Sequence, residues 1–151
     1  MKHTKSRNGF TLIELIIVMV ILGIMAAVAV PRDLDSISNA EEAAEDAVIS
    51  AIRSGLTQYA NNSLYESGRA EWPDNPFDAL AEKPVGYSDK ASRADVDGEW
   101  TFYFDGTSMQ ISHQRADNSR FEWSYDKGIQ NGSGIDNAGI GTLGNRVKVS
   151  P

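Results

Sequence analysis

Cysteine is absent from this 151-residue chain, so no disulfide, thiolate nucleophile or thiolate metal site is available to it. Histidine is nearly absent as well, with only His3 and His113, which leaves little for a histidine metal site or general base. No nucleophile elbow, phosphate-binding loop or paired-histidine metal motif occurs. Acids are plentiful, but nothing in their spacing singles out a pair for glycoside chemistry. Enzymatic activity is therefore not expected. Positive charge is scarce beyond the first ten residues. Lys2, Lys5 and Arg7 are three of the 14 basic residues; without them 11 bases face 21 acids, a balance of −10 against −7 for the whole chain. An acidic body of this kind repels phosphate backbones, so nucleic acid is not an expected partner.

What the chain does have is one long apolar run in an otherwise polar sequence of mean hydropathy −0.34. Residues 1–9, MKHTKSRNG, are basic and polar, and residues 10–30 read FTLIELIIVMVILGIMAAVAV, with Glu14 as the single charge. A helix of that length spans roughly 31 Å, about one hydrocarbon core. The basic flank predicts an N-terminus on the cytoplasmic side and the remaining chain on the other.

Pro31 closes the apolar run, and an amphipathic helix is predicted over 31–62. Its stripe comprises Ile37, Ala40, Ala44, Val48, Ala51, Ile52, Leu56 and Tyr59. Glu41, Glu42, Glu45, Asp46 and Arg53 fill the solvated side. Ser36 or Ser38 is placed to re-cap the helix, and Asn61-Asn62 to end it.

Residues 63–151 form the remaining globular part. They start with a loop to 98 punctuated by Pro73, Pro76 and Pro84 and anchored by Trp72, Phe77, Leu80, Val85 and Tyr87. Three period-two segments follow. Trp100, Phe102 and Phe104 share a face, as do Met109, Ile111 and His113, and then Phe121, Trp123 and Tyr125. Asp105-Gly106 and Asp117-Asn118 supply turn chemistry between them. The expected fold is α+β: a long N-terminal helix with a small antiparallel sheet packed by its aromatic face on the second half. His113 then faces the core. A Gly-rich tail ends in a possible short strand over 146–149.

Two features at the start of the apolar run carry function. An ordinary secretory signal is cut behind its apolar stretch; here a glycine, Gly9, stands directly before it, and no convincing small-residue site precedes Pro31. A cut between Gly9 and Phe10 removes the basic leader and keeps the anchor. Glu14 is a lone carboxylate in an apolar helix, costly unless paired. The amine created at Phe10, its own or a neighbour's, is a natural partner.

The segment GFTLIELIIVMVILGIMAAVAVP resembles the class III signal and N-terminal helix of type IV pilins and type II secretion pseudopilins, closely over residues 8–31. The resemblance implies cleavage after Gly9 and N-methylation of Phe10 by a prepilin peptidase. It also implies docking of subunits through Glu14, and helix loosening at Gly23 and Pro31 inside an assembled filament. Implied partners are that peptidase, identical or homologous subunits, an inner-membrane assembly platform and membrane lipid. Implied locations are the bacterial inner membrane, with the head periplasmic, and then a filament. The disulfide common in major pilins has no counterpart here. A type IV pilus subunit is the leading expectation, a secretion pseudopilin the alternative, and a membrane-tethered binding domain that never polymerises the third. No cofactor is expected. Asp95, Asp97 and Glu99 form D-x-D-G-E, part of a calcium-loop pattern, and Asp126, Asp136 and Asn137 are a second oxygen-rich set. Turn chemistry is the simpler account of both.

Overall fold

The computed structural model describes residues 10–128 and 141–150, the side chains of 30–35 excepted. The chain divides into two compact units, residues 1–43 and 44–151. Helix α1 (Leu12–Ser67) contributes to both.

In the first unit α1 passes through Gly23 and Pro31 without a break, so neither Ser36 nor Ser38 re-caps anything. The apolar side chains are exposed on every side: Leu12, Leu15, Ile17, Met19, Ile21, Ile24 and Val28 all exceed half exposure. A helix apolar all round, with no described residue over it, belongs in a membrane or among other helices. Leu12–Ala29 is long and apolar enough to cross a bilayer.

In the second unit α1 continues to Ser67, five residues beyond Asn62. Asparagine weakens a helix without stopping it. The stop is Gly68, at φ 75°, whose amide donates to the Leu64 carbonyl at 3.0 Å. The buried stripe is Glu45, Ile49, Ile52, Leu56 and Ala60. Ile52 and Leu56 match the expected stripe, while Ile37, Ala40, Ala44, Ala51 and Tyr59 are exposed. Alanines surround this helix, and their small side chains say little about which face is covered. Gly55 lies on the covered face because a Cβ there would meet the Ala79 carbonyl oxygen at 2.5 Å.

Among the described residues the sheet has five antiparallel strands: β1 (Trp100–Phe104), β2 (Met109–Gln114), β3 (Arg120–Asp126), β4 (Thr142–Leu143) and β5 (Val147–Val149). The first three form a meander, and the short β4 and β5 both pair with β3, at opposite ends. The turn between β2 and β3 closes with the Arg115 amide donating to the Ser119 carbonyl, and Asn118 takes φ 63°. This is the left-handed conformation asparagine tolerates. One sheet face packs Trp100, Ile111, Trp123 and Tyr125 on Ile49, Ile52 and Leu56, with Phe77 completing the core. Phe77 is delivered by the 3-10 turn Pro76–Ala79, whose first amides are capped by Asn75. Two expected anchors fail: Phe104 and Val85 are exposed. Phe104 ends its strand beyond the reach of the core, and Val85 stands in a loop beside Gly86.

The other face of the sheet is also buried, which period-two reading did not anticipate. Thr101, Tyr103, Ser112, Arg120 and Glu122 are buried there, and Arg93 and Ala94 bond the last four of them. The Ala94 amide donates to Ser112 Oγ, and Arg120 Nε donates to the Ala94 carbonyl at 2.7 Å. Tyr103 Oη accepts from Arg93 Nε and donates to Glu122 Oε1 at 2.8 Å.

Candidate functional site

Gly9 lies outside the described residues, so the site begins at Phe10, which is almost wholly exposed. Thr11 is the N-cap of α1. Its backbone amide and its hydroxyl both donate to Glu14 Oε2, each at 2.8 Å. The Glu14 amide returns a longer bond of 3.3 Å to Thr11 Oγ1. This is a reciprocal capping box, T-x-x-E, in which two groups at the helix start satisfy each other. Sequence reading had singled out Glu14 and missed Thr11, although the spacing Thr11-x-x-Glu14 was there to be read. Among the described residues Glu14 makes no ion pair. Its hydrogen-bonding need is met locally, and no described residue neutralises its charge. Gly23 has open space around it, and Pro31 sits within the helical run. Phe10, Thr11 and Glu14 are thus gathered at one helix start, while Gly23 and Pro31 lie further along the same helix.

The second unit holds the other candidates. His113 is buried, as its place on the inward face predicted. It stacks on Trp100 at 4.1 Å between centroids, with Nδ1 3.0 Å from the Glu99 carbonyl oxygen. Its Nε2 lies 3.8 Å from Glu45 Oε1. Glu45, expected on the solvated side, is instead fully buried. Arg115 grips it with two bonds, Nε to Oε1 at 2.6 Å and a terminal nitrogen to Oε2 at 2.7 Å. Arg146 adds a third at 3.2 Å and also approaches Asp46. Both guanidiniums lie over the Phe121 ring. Nothing in the periodicity marks Glu45, because its partners come from a turn and from the C-terminal segment.

The acidic loop is occupied by its own chain. Lys90 Nζ bonds the Asp95 carboxylate and both Glu99 oxygens, at 3.3 and 3.1 Å. The Lys90 bond is the leading influence holding Asp95 below its ordinary carboxyl range. Burial works to raise Glu99, but the Asp95 amide and the Lys90 ammonium outweigh it, and the net shift is downward. Asp97 is exposed. Asp126 caps the Gly128 amide at 2.7 Å, as turn chemistry does, and Asp136 and Asn137 lie outside the described residues. Among the described residues there is no group of three or more His, Cys, Asp or Glu arranged to hold a metal. Tyr125 is raised above its ordinary range by burial; its hydroxyl donates to the Pro73 carbonyl.

Comparison with known proteins bears on the N-terminal segment first. The prokaryotic N-terminal methylation motif matches residues 4–30. By this segment the chain is similar to type IV pilins and type II secretion pseudopilins. The chain is similar to the type IV narrow pilus major component PilA5 of Thermus thermophilus, 56% identical over 47 residues, covering 31% of this chain and 40% of that protein. It is similar to the type II secretion system core protein G of Vibrio cholerae, 35% identical over 86 residues, 56% of each chain. It is also similar to the type IV major pilin protein PilE1 of Neisseria gonorrhoeae, 36% identical over 78 residues, 52% of this chain and 44% of that one. The chain thus spans about half the length of the curated relatives it matches. No solved structure matches significantly. The α+β architecture, an apolar N-terminal helix with a small antiparallel sheet, is consistent with the pilin fold, and the apolar helix fits membrane anchoring.

Proposed function

We propose that this chain is a structural subunit of a type IV pilus-like filament. It is inserted by residues 10–30 with its N-terminus cytoplasmic and its head periplasmic. A prepilin peptidase cuts it after Gly9 and methylates the Phe10 amine. The observation that carries this reading is an uncovered apolar helix inside the methylation motif, bearing one acid whose charge no described residue neutralises. Bilayer insertion satisfies the apolar surface, and the bundling of such helices does so again in a filament. Glu14 Oε2 is engaged by Thr11, and the charge is left to be met by the amine at Phe10 of a neighbouring subunit. Pairing of that kind fixes the axial stagger between copies. Gly23 and Pro31 are the helix positions with the lowest intrinsic propensity in this half, and local loosening in the assembled filament falls there.

Mass spectrometry of the protein from cells with an active prepilin peptidase tests the reading. A mature chain starting at N-methylphenylalanine 10 is expected, and an intact Met1 terminus overturns it. Glu14→Ala is expected to be processed but not assembled; normal filaments from that variant would remove the pairing argument.

The 86-residue similarity to a type II secretion core protein supports a second reading, a pseudopilin of a secretion pseudopilus. Neighbouring genes and imaging of sheared filaments separate the two. A solitary subunit that never enters filaments would point instead to a tethered binding domain.

A further inference from the structure

We propose that the Lys90 ammonium is a tethered counter-cation, locking residues 88–99 over the back of the sheet as a bound divalent cation locks an acidic loop. The carboxylates at Asp95 and Glu99 stand four residues apart across a turn, in which the Glu99 amide donates to the Val96 carbonyl and Gly98 takes φ 75°. Such a turn brings both acids to one point. Glu99 is about nine-tenths buried, and a carboxylate there needs a counter-charge. In a calcium loop that charge diffuses in from solution. Here it comes from the same chain, five residues before Asp95, on a stem that is itself partly covered: the Lys90 side chain is 31% exposed. The ammonium meets three carboxylate oxygens at once. The Glu99 oxygen at 3.1 Å also accepts the Asp95 amide at 2.8 Å, so the charge pair and the backbone turn are one unit.

What the unit holds down is specific. Between Lys90 and Asp95 lie Arg93 and Ala94. Ala94 is fully buried and exchanges bonds with Ser112 and Arg120, and Arg93 bonds Tyr103 and pairs with Glu122 at 3.2 Å. Release of Lys90 therefore frees the cover of three buried charged or phenolic side chains on β1 and β3. With no disulfide to restrain the segment, the counter-charge for Asp95 and Glu99 rests on one ammonium.

The experiment compares calcium responses of the full-length chain in detergent micelles, by thermal melts followed through tryptophan fluorescence. Three forms are used: wild type, Lys90→Met and Lys90→Met/Glu99→Gln. Lys90→Met keeps the aliphatic stem and removes the charge. It is expected to melt lower than wild type without calcium, and to regain about 5 °C at a calcium concentration roughly ten times its Kd, in the millimolar range. The double variant, which has lost the buried acid as well, is expected to melt closer to wild type and to respond to calcium no more than wild type does. Any response from other acids of the chain appears equally in all three forms and cancels. A calcium response of Lys90→Met no larger than that of wild type overturns the proposal, whether or not the variant folds without calcium. A double variant as unstable as the single one also overturns it, because the lysine stem and not its charge would then be the lock.

Discussion

Glu14 and Glu45 lie on the same helix, 31 positions apart in a chain that has 21 acids, and their surroundings are opposite. Glu14 stands on an uncovered apolar surface. Its oxygen is bonded by Thr11, one turn away, and no described cation reaches it. Glu45 is fully buried and held by two guanidiniums, one from the turn after β2 and one from the segment before β5. The second unit supplies its own counter-charge from residues 70 and 101 positions away. The described residues of the first unit supply hydrogen bonds and no charge. A carboxylate in a self-sufficient core is completed by folding. One on a helix built to be covered by something else is completed by whatever covers it.

The largest effect that bears on this contrast comes from Glu45→Ala, which leaves Arg115 buried against an empty site. A loss of about 3–5 kcal/mol is expected, read as a fall of more than about 12 °C in the melting temperature of the head. A melt within a few degrees of wild type would mean that Glu45 is no different in kind from a surface acid. Acid is the next lever. Asp95 is held low by Lys90, and Asp105 by the amides of Ser108 and Thr107. Glu99 is raised by burial but brought lower overall by the Asp95 amide and Lys90. Carboxyls depressed in the folded state contribute stability that is present above their unfolded pKa values, about 3.9 for Asp and 4.3 for Glu. That stability is lost as pH falls through the lower folded values. Head melts are therefore expected to be level from about pH 7 to 5 and to fall below about pH 4. The far-UV helical signal of the detergent-covered first unit should persist. The smallest effect is Glu14→Ala on the head. Its melt is expected to superimpose on wild type, although the same substitution is expected to block assembly. A lowered head melt would show that the two glutamates are not independent.

Much of this architecture was legible. The apolar run with Glu14 near its start is a local feature, and the strands announce themselves by period-two aromatics whose inward face, Phe104 excepted, is the observed one. His113 was placed correctly for that reason. The helix stripe was read less well. Ile52 and Leu56 were right, but Ala44, Ala51 and Tyr59 were assigned to a core that took Glu45, Ile49 and Ala60 instead. Hydrophobicity ranks a glutamate last for burial, and only the arrival of Arg115 and Arg146 makes it affordable. Thr11 carries no apolar periodicity, and only its place three residues before Glu14 marks it as a cap. The buried back face was missed because polar side chains on alternate strand positions normally mean solvent.

By itself, the sequence determined where this chain is apolar without relief, where it changes to amphipathic helix, and which strand residues face inward. These follow from the runs and periods of neighbouring side chains, which the backbone geometry of helix and strand converts directly into faces. Only the tertiary structure decided which face of the second helical half is covered, that Glu45 is buried, and that residues 88–98 close the back of the sheet. Each of those depends on groups from distant segments meeting at one point, and a charge is buried or solvated according to whether its partner arrives.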